Sequence, residues 1–519
     1  MMGKVYEKIM SLDALLSMIS GVLMALAFPT IGLSSLAFFS ILPLLFTLFR
    51  AQRKISSILC GIISGFVFYL GTVYWVTLTM ENYGGVPRVL SLFILMLFSF
   101  YLSLYFGLFA WGVVRIRGSR FPVWIGAPFL WVALEYARGH ILTGFPWALL
   151  GYTQFRNLYL IQISDLTGVY GVSFIVILIN VIFFKIILIV RDRQPLRQLV
   201  APLACLLMVM VLTVTYGLYR IHQLRVVTPS KTVKVGIVQG NIDQDIKWDP
   251  QYRDKILAVH THLSRRAAQE QPDLIVWPEA SAPFYFMADK DYQARLIALI
   301  DDLGSDLLFG SPDYTMEDGG GHFFNSAFLV SPDAKLKGKY DKLHLVPFGE
   351  YVPLRRFLFF VQPIIEQIGD ITPGHQITLM HTRKGKCGTP ICFEIIFPDL
   401  VRRFVRDGAV FIATLTNDNW FGRSSAPYQH FSMAVFRAVE NHVPVVRSAN
   451  SGISGVIAAD GKIVTQTDLF VEDVVMETLN ILERPPTFYT RFGDFFSFLC
   501  LAVSVVMIFD SWFFKKRTR

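Results

Sequence analysis

The chain has 519 residues, of which 53% are hydrophobic and only 17% charged, and it carries a formal net charge of +9. A balance this apolar excludes an ordinary soluble enzyme. The positive excess does not point to nucleic acid, because residues 231–490 hold 26 Lys and Arg against 31 Asp and Glu, which places an excess of +14 on the apolar remainder. A nucleic-acid face would instead need clustered charge on a folded domain.

Long apolar runs fall near 11–28, 33–49, 57–79, 89–114, 122–137, 169–190, 198–218 and 493–514. Each approaches the ~20 residues that cross a bilayer as a helix, so about eight transmembrane helices are expected. The fifth run is the weakest, because it contains Pro128 and ends in Glu135 and Arg138. The first run is too long and too poorly flanked for a cleaved signal peptide. Counted on alternate sides, one set of short loops and ends holds 15 Lys and Arg (from Lys4 and Lys8 to Lys515, Lys516, Arg517 and Arg519), and the opposite set holds only Arg88, Arg138 and Arg156. Basic residues near helix ends stay cytoplasmic, so both termini are expected inside and the region 220–490 outside. Gly84, Gly85 and Pro87 read as a short external turn.

The external stretch is long enough to bury its own core. Val233–Gln239, Leu274–Trp277, Leu307–Gly310 and Val410–Leu415 read as buried strands, whereas 250–270, 288–303, 397–407 and 427–441 read as amphipathic helices. Such alternation predicts a layered α/β domain. The domain plan is therefore 1–220 with transmembrane helices 1 to 7, 221–490 as the extramembrane domain, and 491–519 with the eighth helix and a basic tail.

Three short motifs in that domain carry chemistry: Val-Trp-Pro-Glu-Ala (276–280), Tyr-Asp-Lys-Leu-His-Leu-Val-Pro-Phe-Gly-Glu (340–350) and Pro-Ile-Cys-Phe-Glu (390–394). They offer a carboxylate, Glu279, an amine, Lys342, and a thiol, Cys392, each at or just past an apolar strand, where open α/β sheets present their sites. Taken singly, each would be a surface charge or a packed thiol. In that order and with those flanks they form the parts of an acyl-transfer site with a cysteine nucleophile. A thiol beside a lysine and near a helix starting at Pro398 should ionise below its ordinary ~8.5. Cys387 is expected to be structural and reduced, since pairing with Cys392 on an oxidising side would block the thiol. Cys60, Cys205 and Cys500 lie in apolar spans and read as small packed hydrophobes. His260-x-His262 lacks acidic or cysteine partners for a metal, and no Gly-x-Ser-x-Gly elbow, phosphate-binding loop or dinucleotide fingerprint is present.

Trp-Pro-Glu, the Lys342 motif and Cys-x-Glu together resemble the carbon–nitrogen hydrolase (nitrilase) superfamily, and their insertion between membrane helices resembles the bacterial apolipoprotein N-acyltransferases. Further matches are Val-Gln-Gly-Asn-Ile-Asp-Gln-Asp-Ile-Lys-Trp-Asp (238–249), Leu-Thr-Gly-Phe-Pro-Trp (142–147), Asn-Asp-Asn-Trp-Phe-Gly (417–422), Gln429-His430-Phe431 and Arg447-Ser448 to Gly452. The resemblance implies an α-β-β-α sandwich beside a polytopic helical membrane domain, with no metal or organic cofactor. It implies a two-step reaction in the bacterial inner membrane, with the catalytic domain on the periplasmic side. Cys392 takes an acyl chain from a phospholipid, and the α-amino group of a diacylated apolipoprotein then accepts it. Glu279 would be the general base, Lys342 the oxyanion donor and Glu350 the residue orienting Lys342, with Glu394 either close to the site or in a structural ion pair. Phe393 stands where many members have tyrosine, so no role is carried over for that hydroxyl.

For lipid handling, Arg355–Ile368 reads as an apolar arm with a basic start, dipping into the interface. Trp147, Trp248 and Trp420 are candidates to line an acyl path, with Gln244 and Phe393 as further substrate-side residues, although belt or core packing would also account for Trp147 and Trp248. The single complete site implies that a monomer suffices. Two other classes stay open on the residues alone: a membrane-tethered amidase or lipid hydrolase, in which water resolves the thioester, and a non-catalytic transporter or scaffold.

Overall fold

Helices account for the apolar runs because a chain surrounded by hydrocarbon must satisfy its backbone N–H and C=O groups internally. The computed structural model describes residues 2–50, 54–317, 320–351 and 371–517; the segment Arg355–Ile368 lies outside them. The chain divides into a helical unit, Met1–Glu81 with Pro87–Arg220 and Phe492–Arg519, and a second unit, Ile221–Arg491 with Asn82–Val86.

Among the described residues of the chain, five helices are long and apolar enough to cross a membrane: Lys54–Val73, Arg88–Ile116, Val169–Arg191, Leu196–Val226 and Phe495–Phe513. Lys54–Val73 packs closely on Arg88–Ile116 because Gly61 and Gly65 leave room; a Cβ on Gly61 would meet Ala110 Cβ at 2.7 Å, and one on Gly65 would meet Phe106 Cγ at 2.8 Å. Small residues at such contacts take the place of the hydrophobic drive that lipid removes.

The run at 33–49 is not one helix. It divides into a 3₁₀ turn, Ser34–Phe38, and a helix, Leu42–Arg50. The break is stabilised from Val169–Arg191, where the Asn180 amide donates to Ala37 O at 2.8 Å and accepts from the Ile41 N–H at 3.1 Å. The run at 122–137 becomes the 16-residue helix Val123–Arg138. Its two buried charges bind backbone: Glu135 Oε1 accepts from the Leu150 N–H at 2.7 Å, and Arg138 donates to Phe145 O at 2.9 Å and Trp147 O at 2.7 Å. They fasten the irregular segment that follows, an ordinary use for charge at membrane depth.

The second unit is built on two sheets. The first holds β1 (Lys231–Gln239), β2 (Leu274–Val276), β3 (Asp306–Glu317), β4 (Gly320–Val330), β5 (Leu336–Asp341) and the last strand, β12 (Asp473–Ile481), in the order β12-β1-β2-β3-β4-β5. The second holds β6 (Met380–Thr382), β7 (Gly385–Gly388), β8 (Phe411–Thr416), β9 (Val445–Ala449), β10 (Gly455–Ile457) and β11 (Ile463–Gln466), in the order β11-β10-β9-β8-β7-β6. Within each sheet three strands run parallel, β1 to β3 and β7 to β9, and the flanking pairs are antiparallel.

Helices Arg253–Ala268 and Lys290–Leu303 cover the first sheet, and Pro398–Arg406 and Ala426–Asn441 cover the second. The inner faces meet at β1 and β9, where the Ser448 hydroxyl lies 3.1 Å from Val238 O and 3.2 Å from Val276 O. The layers therefore run helix, sheet, sheet, helix. Lys290–Leu303 illustrates how the sequence builds one layer. Asp289 caps its first turn by accepting from the Tyr292 N–H, Gly304 ends it in the left-handed region, and Leu296, Leu299, Ile300 and Leu303 form its buried stripe. Each such side chain contributes about 1.5–3 kcal/mol by leaving water.

The strands deliver the chemistry to one end: β2 leads into Glu279, β5 into Lys342, β7 into Cys392 and β8 into Asn417 and Asp418. Gly310 on β3 makes this approach possible, since a Cβ there would meet Glu279 Cα and C at 2.9 Å. Gly310→Ala is expected to destabilise the α/β unit by about 1–3 kcal/mol through overpacking, seen as a lowered melting temperature in detergent. An unchanged melting temperature would mean that the Glu279 turn yields freely.

Candidate active site

Glu279 sits on a turn that continues the sheet after β2 ends. Trp277 N–H donates to Leu308 O at 2.8 Å, Gly310 N–H to Pro278 O at 3.2 Å and Ala282 N–H to Gly310 O at 3.0 Å. The next residue, Ala280, has φ +47°, a left-handed conformation that costs a side-chain-bearing residue about 1–3 kcal/mol and is held only by surrounding structure. Lys342 is the first residue after β5, fixed by its N–H to Asn325 O at 2.9 Å and only 1% exposed.

The Lys342 ammonium lies 2.9 Å from Glu350 Oε1 and 3.4 Å from Glu279 Oε1. Asn325 completes the ring, its amide donating to Glu279 Oε1 at 2.8 Å and Glu350 Oε1 at 3.0 Å, while Glu350 Oε2 accepts from the Val346 N–H at 2.8 Å. Burial alone would lower the Lys342 ammonium, but Glu350 and then Glu279 outweigh it and hold the group above its ordinary value.

Cys392 opens a 3₁₀ turn, Cys392–Ile396, directly after Ile391 bridges to Leu415 at the edge of β8. Its φ is +51°, so the nucleophile candidate is itself on a strained corner. The thiol is free and buried, and the Asn417 backbone N–H favours its charged form. Its ionisation differs from the sequence expectation. Burial, reinforced by the Glu279 carboxylate, pushes the thiol well above its ordinary value, and the Lys342 ammonium does not reverse this. The helix Pro398–Arg406 begins six residues later, beyond the turn over which a helix N-terminus acts. The candidate nucleophile is thus a buried thiol whose surroundings favour its protonated form.

Glu394 is fully buried and makes no ion pair among the described residues. It accepts from Ile391 N–H at 2.7 Å on one oxygen and from Leu343 N–H at 2.7 Å, His344 N–H at 3.0 Å and Tyr340 hydroxyl at 2.8 Å on the other. One side chain therefore fastens the Cys392 turn to the Lys342 segment. Burial pushes its carboxyl up to about 7 against these donors, which favour the charged form.

Beneath the thiol lies a second buried network that sequence reasoning matched as motifs without assigning it a task. Asp418 Oδ1 is 2.9 Å from His430 Nδ1, Arg447 Nη2 donates to Asp418 Oδ2 at 2.6 Å, and His430 Nε2 lies 3.2 Å from the Cys392 carbonyl. The ring thus stands between Asp418 and the backbone of the strained residue. Asn325 and Lys247 were also missed as members of the cluster. Lys247 stood inside the matched segment 238–249; Asn325, a polar residue just before the buried strand run 326–330, was the other available signal.

The remaining candidates differ in exposure. Gln244 is buried and accepts from the Asn417 amide at 2.8 Å; Phe393 is buried against His344 and Phe397; Trp147, in the helical unit, is 0% exposed and packs on Trp75 and Phe145. Trp248 is 50% exposed, and Trp420 packs edge-on to Tyr83. Cys387 is buried beside Thr389 and its thiol is pushed up to about 12 by burial. His260 donates to Ile256 O at 2.9 Å and packs on Trp277. Among the described residues no group of three or more His, Cys, Asp or Glu could hold a metal ion.

Burial holds His260 at about 4; burial and then the Lys342 ammonium hold His344 at about 4; burial also lowers His430. Free histidine titrates near ~6.5, so these rings take up protons on unfolding; their contribution to stability is complete above ~6.5 and is lost as pH falls toward 4. Glu394 acts in the opposite sense, its contribution being lost as pH rises from ~4.3 to about 7. Three imidazoles against the raised carboxyls of Glu394 and Asp306 predict a melting temperature that falls on acidification from about 6.5 to 4.5, with His260→Gln flattening the curve. A profile that rises on acidification would contradict the buried neutral rings.

Two family models match the chain: the apolipoprotein N-acyltransferase N-terminal domain over residues 20–182 and the carbon-nitrogen hydrolase model over residues 234–483. The apolipoprotein N-acyltransferase of Geobacter metallireducens is 44% identical over 503 residues, covering 97% of this chain and 96% of that protein. That of Vibrio vulnificus is 30% identical, covering 92% of each, and that of Vibrio cholerae is 31% identical, covering 88% of this chain and 89% of that protein. A match that spans both units at these identities means that the chain belongs to the apolipoprotein N-acyltransferase family.

Proposed function

We propose that this enzyme moves an acyl chain from a membrane phospholipid to the α-amino group of the N-terminal diacylglyceryl-cysteine of apolipoproteins, through a thioester on Cys392. The observation that carries the reading is the buried Cys392 thiol at the same end of the sheets as the buried Lys342 ammonium and Glu279 carboxylate, which lie 3.4 Å apart and both act on the thiol. A thiol kept above its ordinary range needs a base at the moment of attack, and Glu279 is positioned to serve.

In the first half-reaction Glu279 takes the thiol proton as Sγ attacks the ester carbonyl. Lys342 donates to the oxyanion that forms, a preorganised charge worth far more in a buried site than in water. Collapse breaks the ester C–O bond, and the departing lysophospholipid alkoxide regains the proton from Glu279. In the second half-reaction the α-amine attacks the thioester, Glu279 takes the amine proton and returns it to the departing sulfur. Glu350 keeps Lys342 charged and directed. Because donor and acceptor use one nucleophile in turn, ping-pong kinetics follow.

The distribution of basic residues supports a multi-pass protein of the inner membrane, with both termini in the cytoplasm, residues 1–220 and 491–519 supplying the transmembrane helices, and 221–490 catalysing on the periplasmic side. The reaction needs no cofactor, and one chain carries every group it uses. Of the three candidate tryptophans, Trp248, half exposed, and Trp420, partly buried, are the ones available to meet lipid, whereas Trp147, Gln244 and Phe393 act through packing or through the residues they support.

With a phospholipid labelled in its acyl chains, wild-type protein is expected to retain label after denaturation and release it to hydroxylamine, whereas Cys392→Ala retains none while still folding. Label held by Cys392→Ala would overturn the nucleophile assignment. Lys342→Arg is expected to lose about 100-fold or more in rate, because a planar guanidinium cannot take the ammonium's place between two carboxylates; a near-normal rate would make Lys342 structural only.

A further inference from the structure

Lys247 takes no part in the reaction set out above, yet it is a second lysine buried beside the reacting groups, 2% exposed at the end of the short turn Gln244–Lys247 that follows β1. Its ammonium donates to the main-chain carbonyl of Glu279 at 2.9 Å. That carbonyl belongs to the base itself and precedes Ala280, whose φ is +47°. The same turn reaches the nucleophile's side, because Gln244 Oε1 accepts from the Asn417 amide at 2.8 Å and the Asn417 backbone N–H favours the charged form of the Cys392 sulfur. Four residues thus span from the base to the support of the thiol.

Charge counting leads to the same residue. At rest the cluster holds the carboxylates of Glu279 and Glu350 and the ammonium of Lys342, an excess of one negative charge. In the tetrahedral intermediate Glu279 is protonated and the oxyanion replaces its charge, so the excess persists. With Lys247 counted, these four groups and the oxyanion sum to zero in both states, which a dry site favours strongly.

We infer that Lys247 is a positioning residue for acyl transfer: its ammonium fixes the strained Glu279 turn against the Cys392 thiol and balances the cluster's charge in both half-reactions. The inference rests on Cys392 as acyl carrier. The titratable groups facing Lys247 are Glu279 after β2, Cys392 after β7 and His260 on the helix Arg253–Ala268. Burial lowers the Lys247 ammonium to about 8, with Glu279 and Cys392 pulling the other way, so it loses its proton at mildly alkaline pH while Lys342 stays charged.

The test is single-turnover acylation of the full-length protein in detergent by labelled phospholipid, measured from about pH 6 to 10 for wild type, Lys247→Met and Lys247→Arg. Wild type should slow as pH rises through about 8. Lys247→Met should be about 100-fold slower near neutrality, with its apparent KM for phospholipid little changed and without that alkaline limb, as expected for a displaced base. Lys247→Arg, charged throughout, should stay within about tenfold of wild type with the limb moved upward. A Lys247→Met enzyme within about threefold of wild type, or a Lys247→Arg enzyme that keeps the limb near 8, overturns the inference; should Lys247→Met fail to fold, the Lys247→Arg profile decides alone. Wild-type protein that takes no acyl group would instead overturn the Cys392 reading, and the inference with it.

Discussion

A lysine ammonium buried between two carboxylates is the interaction on which the α/β unit's chemistry depends. Lys342 is 2.9 Å from Glu350 and 3.4 Å from Glu279, and all three have lost most of their water. Removing one partner from such a group leaves an uncompensated charge and costs about 3–5 kcal/mol. The surrounding structure is arranged to prevent that: β5 ends one residue before Lys342, Asn325 on β4 bridges both carboxylates, and the Val346 N–H holds the far oxygen of Glu350. The sheet register of β4 and β5 therefore sets the position of a charge, and not only the packing of a core.

The same dry setting explains the state of the nucleophile. Burial and the Glu279 carboxylate favour the protonated thiol, so in the proposed reaction its proton passes to Glu279 during attack while Lys342 takes up the charge on the substrate oxygen. Both groups sit at left-handed corners, Cys392 at φ +51° and Ala280, just after Glu279, at +47°. Corners of this kind persist only when several contacts over-determine them. At Cys392 the contacts are Glu394, which ties the turn to Leu343 and His344, and the Asp418–His430–Arg447 network against the Cys392 carbonyl. At Glu279 they are Gly310, which leaves space, and Lys247, which grips the carbonyl.

Local features of the sequence were legible because they depend on local physics. Strands β1, β2 and β8 and the helices Arg253–Ala268, Lys290–Leu303, Pro398–Arg406 and Ala426–Asn441 follow from apolar periodicity, and Glu279, Lys342 and Cys392 stand out because each interrupts or ends an apolar strand. The illegible parts depend on distant partners. The run 33–49 breaks because Asn180 supplies hydrogen bonds from 139 and 143 positions away. Lys247 joins the site through a carbonyl 32 residues on, and Glu394 gathers donors some 50 residues earlier. The direction of the Cys392 shift was hidden for a related reason: a nearby lysine is visible in a motif, whereas complete burial is a property of the folded sandwich.

The most direct measurement is the intact mass of protein loaded with phospholipid-derived acyl chain, followed in time with and without a diacylated lipopeptide bearing a free N-terminal cysteine amine. A thioester relay predicts an adduct of one acyl chain that persists in buffer and is lost when the lipopeptide is added, as the same chain appears in amide linkage on that peptide. An adduct that decays equally fast without the acceptor and releases free fatty acid would contradict transfer and leave a lipid hydrolase in its place.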